Sequence, residues 1–251
     1  MPNKSLGQHW LKDPAILGGI ADSVELTSED TVLEIGPGLG TLTSVLLRRA
    51  GRVVAVEYDA QLAAKLPGQF PGTNLEVVTG DILQFDASAL PAGYVVVANV
   101  PYYITSKIIS HFLNISNRPK SMVLLMQQEV AEKYASIAGG LTAGAVALQT
   151  KYVVHLGIRV PKMYFTPPPK VDSQVLVCKK RNVSKIAEKD TSRFRRVVQA
   201  GFSAPRKKLR TSLSGGLGLS VADVEQWLER VDVDAHKRAQ DLTVEEWVRL
   251  V

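Results

Sequence analysis

The stretch TVLEIGPGLGT at residues 31–41 decides the fold. Thr31–Ile35 is a short apolar run suited to a buried strand, and Gly36, Gly38 and Gly40 follow at once. Glycines there let the backbone turn sharply out of a strand and approach a ligand where side chains would block it. Leu42, Val45 and Leu46 then recur at helical spacing, so the unit reads strand, glycine turn, helix. A turn that merely packs helix on strand has the same spelling, so the loop alone leaves its role open.

The alternation extends outward on both sides. Asp13-Pro14 supplies an N-cap and a proline at the first helical position, with Ile16, Leu17, Ile20 and Val24 on one face. Val53–Glu57, Leu75–Thr79, Tyr94–Val100 and Ser121–Met126 read as further strands. Asp59 caps one intervening helix, and Ile108, Ile109, Phe112 and Leu113 line another. Near-continuous apolar strands separated by helices predict a parallel sheet covered on both faces. Tyr152–Val160 and Ser173–Lys179 are strands joined by the proline-rich loop Pro161–Pro169, with no helix between them; such neighbours are usually antiparallel. Past Lys180 only helical patterns appear. The expected domains are 1–182, an α/β domain, and 183–251, a small all-helical one.

Composition agrees with this plan. A chain of 251 residues, 45% hydrophobic and 22% charged, excludes wholesale disorder and suits one large domain with a small appendage. The single cysteine, Cys178, excludes an internal disulfide framework and suits a reducing cytosol. No near-continuous apolar run of about 20 residues occurs and the start has no signal-peptide core, so a soluble, cytoplasmic protein without membrane contact is expected. His9, His111, His155 and His236 show no metal-ligand spacing, and nothing calls for more than a monomer.

Charge is concentrated in one place. The net charge is zero over residues 1–178, +10 over 179–210 and −4 over 211–251. A basic block favours a polyanionic partner, because each neutralised phosphate releases condensed counterions. Arg193, Arg195 and Arg196 are interleaved with Phe194, Val197, Val198 and Phe202, and Arg206, Lys207, Lys208 and Arg210 follow Pro205. The apolar anchors suggest a folded cationic platform, with nucleic acid as the preferred partner over phospholipid.

Three further motifs carry chemistry. Glu57 ends a strand 21 residues after Gly36, where α/β cofactor sites place an acid against ribose hydroxyls. Asp81 closes the next strand, where an acid can accept a hydrogen bond from an adenine amino group. Either acid alone could be a helix cap; both in register with Gly36 point to a nucleoside. Asn99-Val100-Pro101-Tyr102 then follows the fourth strand. Its Asn99 carbonyl, with a backbone carbonyl at Val100 or Pro101, can accept both N–H bonds of an exocyclic amine, favouring a pyramidal nitrogen whose lone pair can attack. Tyr102 can stack on the base, a contact worth about 1–3 kcal/mol. In FTPPPKVDS, residues 165–173, stiff prolines can hold Phe165 as a second stacking wall, or simply stiffen a connection.

The spacing of Gly36, Gly38 and Gly40 resembles the loop of S-adenosylmethionine methyltransferases, and Asn99–Tyr102 resembles the motif of those acting on exocyclic amines. SLGQHWL, EIGPGLGTLT, VVAVEYD, GDIL, NVPYYIT, FTPPPKVDS and PRKKLRTSL, in this order, are together similar to the ribosomal RNA adenine N6-dimethyltransferases, most of all the small-subunit branch. The resemblance implies a class I S-adenosylmethionine-dependent, Rossmann-like fold: a seven-stranded sheet with an antiparallel last strand, then an all-helical domain. It implies N6,N6-dimethylation of two adjacent adenosines near the 3′ end of small-subunit rRNA in immature subunits, with S-adenosylhomocysteine as product and no metal. Carried over by position, His9, Leu11, Gly36, Glu57, Asp81 and Asn99 contact the cofactor. Asn99, Pro101, Tyr102 and Phe165 hold the adenine. His9-Trp10 stands where Asn-Phe is usual, Val100 where Leu is usual, and PRKK replaces an arginine-richer run. Two other classes compete: a non-catalytic RNA-binding assembly factor, opposed by the intact cofactor residues, and a nicotinamide oxidoreductase, opposed by Thr41 where a third glycine is wanted.

Overall fold

The computed structural model describes residues 8–251. Its strands are β1 (Trp10–Leu11), β2 (Thr31–Ile35), β3 (Arg52–Glu57), β4 (Leu75–Thr79), β5 (Val95–Asn99), β6 (Ser121–Gln127), β7 (Tyr152–Val160), β8 (Phe165–Thr166) and β9 (Ser173–Lys180). Seven of them form one sheet in the order β4-β3-β2-β5-β6-β9-β7, and β1 pairs with β8 apart from it. The pairs β2–β3, β2–β5, β3–β4 and β5–β6 are parallel. The last strand, β9, runs antiparallel to β6, with Val123 opposite Val177.

Sequence dictates this layering. Val32, Leu33, Val96, Val97 and Leu124 are all fully buried, as expected where both faces of a parallel sheet are covered. The helices of this part are α1 (Pro14–Ala21), α2 (Thr41–Leu46), α3 (Ala60–Ala63), α4 (Leu66–Gln69) and α5 (Thr105–Asn114). Asp13 caps α1 by accepting the N–H bonds of Ala15 and Ile16, and Asp59 caps α3 in the same way. Leu17 and Ile20 of α1 join Leu42 and Val45 of α2 on Val32, Val53, Val95 and Val123 in one core, each large side chain contributing about 1.5–3 kcal/mol of burial.

The remaining helices are α6 (Gln128–Ala135), α7 (Ala143–Lys151), α8 (Thr191–Phe202), α9 (Leu209–Leu217), α10 (Val221–Arg230) and α11 (Val244–Arg249). The chain divides into two compact units, 1–131 with 155–180, and 132–154 with 181–251. This departs from the expected 1–182 and 183–251, because the helical unit also takes 132–154. There α7 packs on α8 and α11. Gly201 makes the α8–α11 approach possible: a Cβ at that position would run into the Trp247 indole, on which Phe202 stacks at 5.3 Å. Among the described residues no helix is long and apolar enough to cross a membrane.

Candidate active site

A cavity of about 370 Å³ opens where β2, β3, β4 and β5 end. The carboxyl ends of strands in an open α/β sheet are where ligands bind, and this volume lies in the usual range for them. The glycine loop forms its floor. Gly36, Gly38 and Gly40 all have positive φ, at +64°, +56° and +78°, a region other residues rarely adopt. At Gly36 a Cβ would meet nothing within 4 Å, so the bare backbone borders open space.

Glu57 ties this loop to the sheet. It is only 6% exposed, accepting the Gly38 N–H on Oε2 and the Asp59 N–H on Oε1, both at 2.9 Å. A carboxylate has about four lone-pair sites, so two remain for a ligand's hydroxyl groups. Asp81, half-buried at the next strand end, accepts the Leu83 N–H at 2.9 Å. Glu34, one turn of pleat before the loop, also lines the cavity and is fully buried, with Oε2 lacking a hydrogen bond. Burial pushes its carboxyl up to about 8; polar groups of Thr43 offset part of the rise, and the charge of Glu57 adds to it. At neutral pH Glu34 therefore holds its proton.

The opposite wall is Asn99–Tyr102. The Asn99 Nδ2 donates one N–H to the His9 carbonyl at 3.1 Å, which anchors the amide and leaves its Oδ1 acceptor available. The Pro101 carbonyl already accepts the Ile104 N–H at 3.1 Å, which favours the Val100 carbonyl as the backbone acceptor beside the Asn99 side chain. Tyr102 Oη and Ser173 Oγ lie 2.6 Å apart. Burial raises the Tyr102 phenol above its ordinary pKa, so it stays neutral. His9 stacks toward Tyr102, ring centroids 5.9 Å apart and planes tilted by 22°. Its Nδ1 lies 2.7 Å from the Pro167 carbonyl, which can only accept, so Nδ1 carries the hydrogen.

The cavity thus gathers His9, Leu11, Gly36, Glu57, Asp81, Asn99, Pro101 and Tyr102. Phe165 is not among them. It is 3% exposed in the core beside Leu11, its β-bridge partner. Alternation along β8 turns Phe165 inward and Thr166 outward, so the expected stacking wall is a core residue. The sequence reading also passed over Glu34, whose signal is a lone acid inside a strand of buried residues. Tyr103 and Lys107, exposed at the rim, were signalled only by their nearness to Tyr102.

The basic residues lie in the helical unit. Arg193, Arg195 and Arg196 project from α8 opposite its buried Phe194, Val197 and Val198, and Arg206, Lys207 and Lys208 are exposed between α8 and α9. Arg210 forms an ion pair with Glu225, so part of its charge is neutralised within the protein. Among the described residues no three His, Cys, Asp or Glu side chains gather as metal ligands.

Comparison with known proteins turns this geometry into a family. The profile of the ribosomal RNA adenine dimethylases matches residues 2–251. The chain belongs to that family. The ribosomal RNA small subunit methyltransferase A of Moorella thermoacetica is 38% identical, the match covering 100% of this chain and 91% of that protein. The namesake from Nostoc is 37% identical over 99% and 96%. Among solved structures, a dimethyladenosine transferase from Plasmodium falciparum is similar with a TM-score of 0.82 and 26% identity, covering 96% of both chains. The 23S rRNA methyltransferase ErmE is similar at 0.79 and 27%, covering 96% of this chain and 97% of that one. In this dimethylase-family chain the sheet order and antiparallel last strand are those of a class I methyltransferase fold, and family and fold together imply S-adenosylmethionine.

Proposed function

We propose that this protein dimethylates N6 of two adjacent adenosines near the 3′ end of small-subunit rRNA, on immature subunits in the cytoplasm. Relatives named for the small subunit, at 36–38% identity over nearly the whole chain, support that substrate over the large-subunit RNA of ErmE. The observation carrying the chemistry is the Asn99 amide, anchored through one N–H to the His9 carbonyl and with its acceptor end available to an amino group. With the Val100 carbonyl it accepts the two N–H bonds of the target, freeing the nitrogen lone pair.

The cavity floor fits the cofactor. A Cβ at Gly36 would stand in the open space of that floor, and the two remaining lone-pair sites on Glu57 suit ribose hydroxyls, with Asp81 available to an adenine amine. S-adenosylmethionine supplies a methyl group on a positively charged sulfur. Leu11 and the glycine loop, which line the cavity, would keep water from the bound cofactor, and Tyr102 would orient the target base by stacking. The exposed cations of α8 and the segment after it bind the RNA backbone as a monomeric protein's second contact.

The test incubates the protein and methyl-labelled S-adenosylmethionine with unmethylated small subunits and, separately, large-subunit rRNA. N6,N6-dimethyladenosine in the small-subunit digest is expected; label confined to large-subunit rRNA overturns the reading. Asn99→Ala is expected to lower methylation at least 100-fold while RNA affinity stays within twofold, and an equal fall in both would make Asn99 structural.

A further inference from the structure

We infer that a groove along α5, outside the catalytic cavity, receives the nucleotide adjoining the target adenosine, with Lys107 on its phosphate. This rests on the proposed reading of the cavity as the place of the target base and extends it to the next position on the strand. The groove has a volume of about 510 Å³, within the usual range for small-ligand sites. Ser106, Lys107, Ser110, His111 and Asn114 of α5 line it, and Leu83 and Ile115 supply its apolar lining. Leu83 and Lys107 also line the catalytic cavity, so the two spaces share a wall. An enzyme that works on a base draws it out of its stack, which brings the flanking backbone to the mouth and leaves the neighbouring base without a stacking partner. The shared wall sets the groove beside that backbone.

Helical spacing builds this surface. Ile108, Ile109, Phe112 and Leu113 bury one face of α5 and fix the helix on the core. Lys107, Ser110, His111 and Asn114 recur every three or four positions and so share another face, with exposed Tyr103 one turn earlier at the cavity mouth. Lys107 is exposed and no acid lines the groove, so no carboxylate there offsets its charge. Burial holds the His111 imidazole below its ordinary pKa, against the opposing pull of Asp81 and the Phe85 carbonyl. The ring is therefore neutral at neutral pH, and Lys107 is the cation of the groove. Asn114 Nδ2 donates to Ser110 Oγ at 3.3 Å, which places an amide and a hydroxyl side by side beyond the lysine. One cation, a row of hydroxyl and amide groups and an apolar lining match the phosphate, ribose and base of one nucleotide.

Filling the groove and removing its cation test the assignment. Ser110→Trp places an indole in the groove from an exposed position, and Lys107→Ala removes the charge. Ser116→Trp puts the same bulk on an exposed turn outside the groove. Methylation of unmethylated small subunits is followed at steady state, S-adenosylmethionine is titrated calorimetrically into each protein, and rRNA affinity is measured across a salt series. Ser110→Trp is expected to lose about tenfold in kcat/KM for subunits, mainly through KM, with cofactor affinity within twofold of the parent. Ser116→Trp is expected to stay within twofold in both. Lys107→Ala is expected to lower the slope of log affinity against log salt by about one. Parent-like kcat/KM in Ser110→Trp, or an unchanged slope in Lys107→Ala, overturns the inference and leaves the groove a solvated helix face. A fall in cofactor affinity in step with activity overturns it as well, because the effect then lies in the catalytic cavity. Should the parent itself fail to methylate small subunits, the proposed function fails, while the salt series still decides the groove.

Discussion

The same substitution, made at each of the two glutamates of the cavity, shifts stability in opposite directions. In Glu57→Gln the amide keeps the shape but presents an NH2 group to one of two backbone donors, Gly38 or Asp59, each 2.9 Å from an oxygen. One charge-assisted hydrogen bond is lost, about 1.5–3 kcal/mol, and a donor is left facing a donor. For a chain of this size that lowers the thermal midpoint by about 4–10 °C. Glu34 behaves otherwise, because burial holds its carboxyl up at about 8 in the folded protein. In the unfolded chain a glutamate titrates near ~4.3. Between these values the native state holds one proton more than the unfolded state, so stability falls with rising pH at about 1.4 kcal/mol per unit. That contribution is complete below about pH 4.3 and lost above about pH 8. Glu34→Gln has no proton to lose, so it gains on the parent at every step from about pH 5 to 8. Calorimetric unfolding of the parent and both variants across this window provides the reading. Parallel pH curves for the parent and Glu34→Gln, or an unchanged midpoint for Glu57→Gln, would refute the reading of Glu34 as the proton-holding acid and Glu57 as the loop's acceptor.

Phe165→Ala should destabilise the protein by about 3–5 kcal/mol, the cost of emptying an aromatic core site, while turnover below its melting range stays near that of the parent. A stable variant with failed turnover would return Phe165 to the base slot. Binding of rRNA should weaken linearly with log salt concentration. Arg206→Ala or Lys207→Ala each lowers the slope by about one, and Arg210→Ala lowers it less, because Glu225 already neutralises that side chain. Equal slopes for all three would remove the distinction.

Much of this architecture was legible because local and tertiary preferences agree. β2, β4 and β7 have the predicted ends, and β3, β5, β6 and β9 differ by one residue at one or both ends, since apolar runs bounded by glycine, asparagine or acids leave little freedom of register. The cavity was legible for the same reason: Gly36, Glu57, Asp81 and Asn99 all sit where a strand stops. What was missed lacks a local period. β1 and β8 pair through two residues each, too short for alternation to show, yet that pairing decides the fate of Phe165. Glu132–Val154 is rich in alanine and glycine, so nothing in its spelling says which core it joins. The His9–Tyr102 arrangement is a contact across 93 positions, beyond any spacing rule.

The helical unit is assembled from two stretches, 132–154 and 181–251, with residues 155–180, most of β7 and all of β9, between them in chain order. Cutting after Lys180 therefore does not release a self-sufficient catalytic fragment. It strips α7 of its packing against α8 and α11. An engineer wishing to exchange the helical unit between relatives must transplant both stretches together, as one would replace a clasp with its hinge.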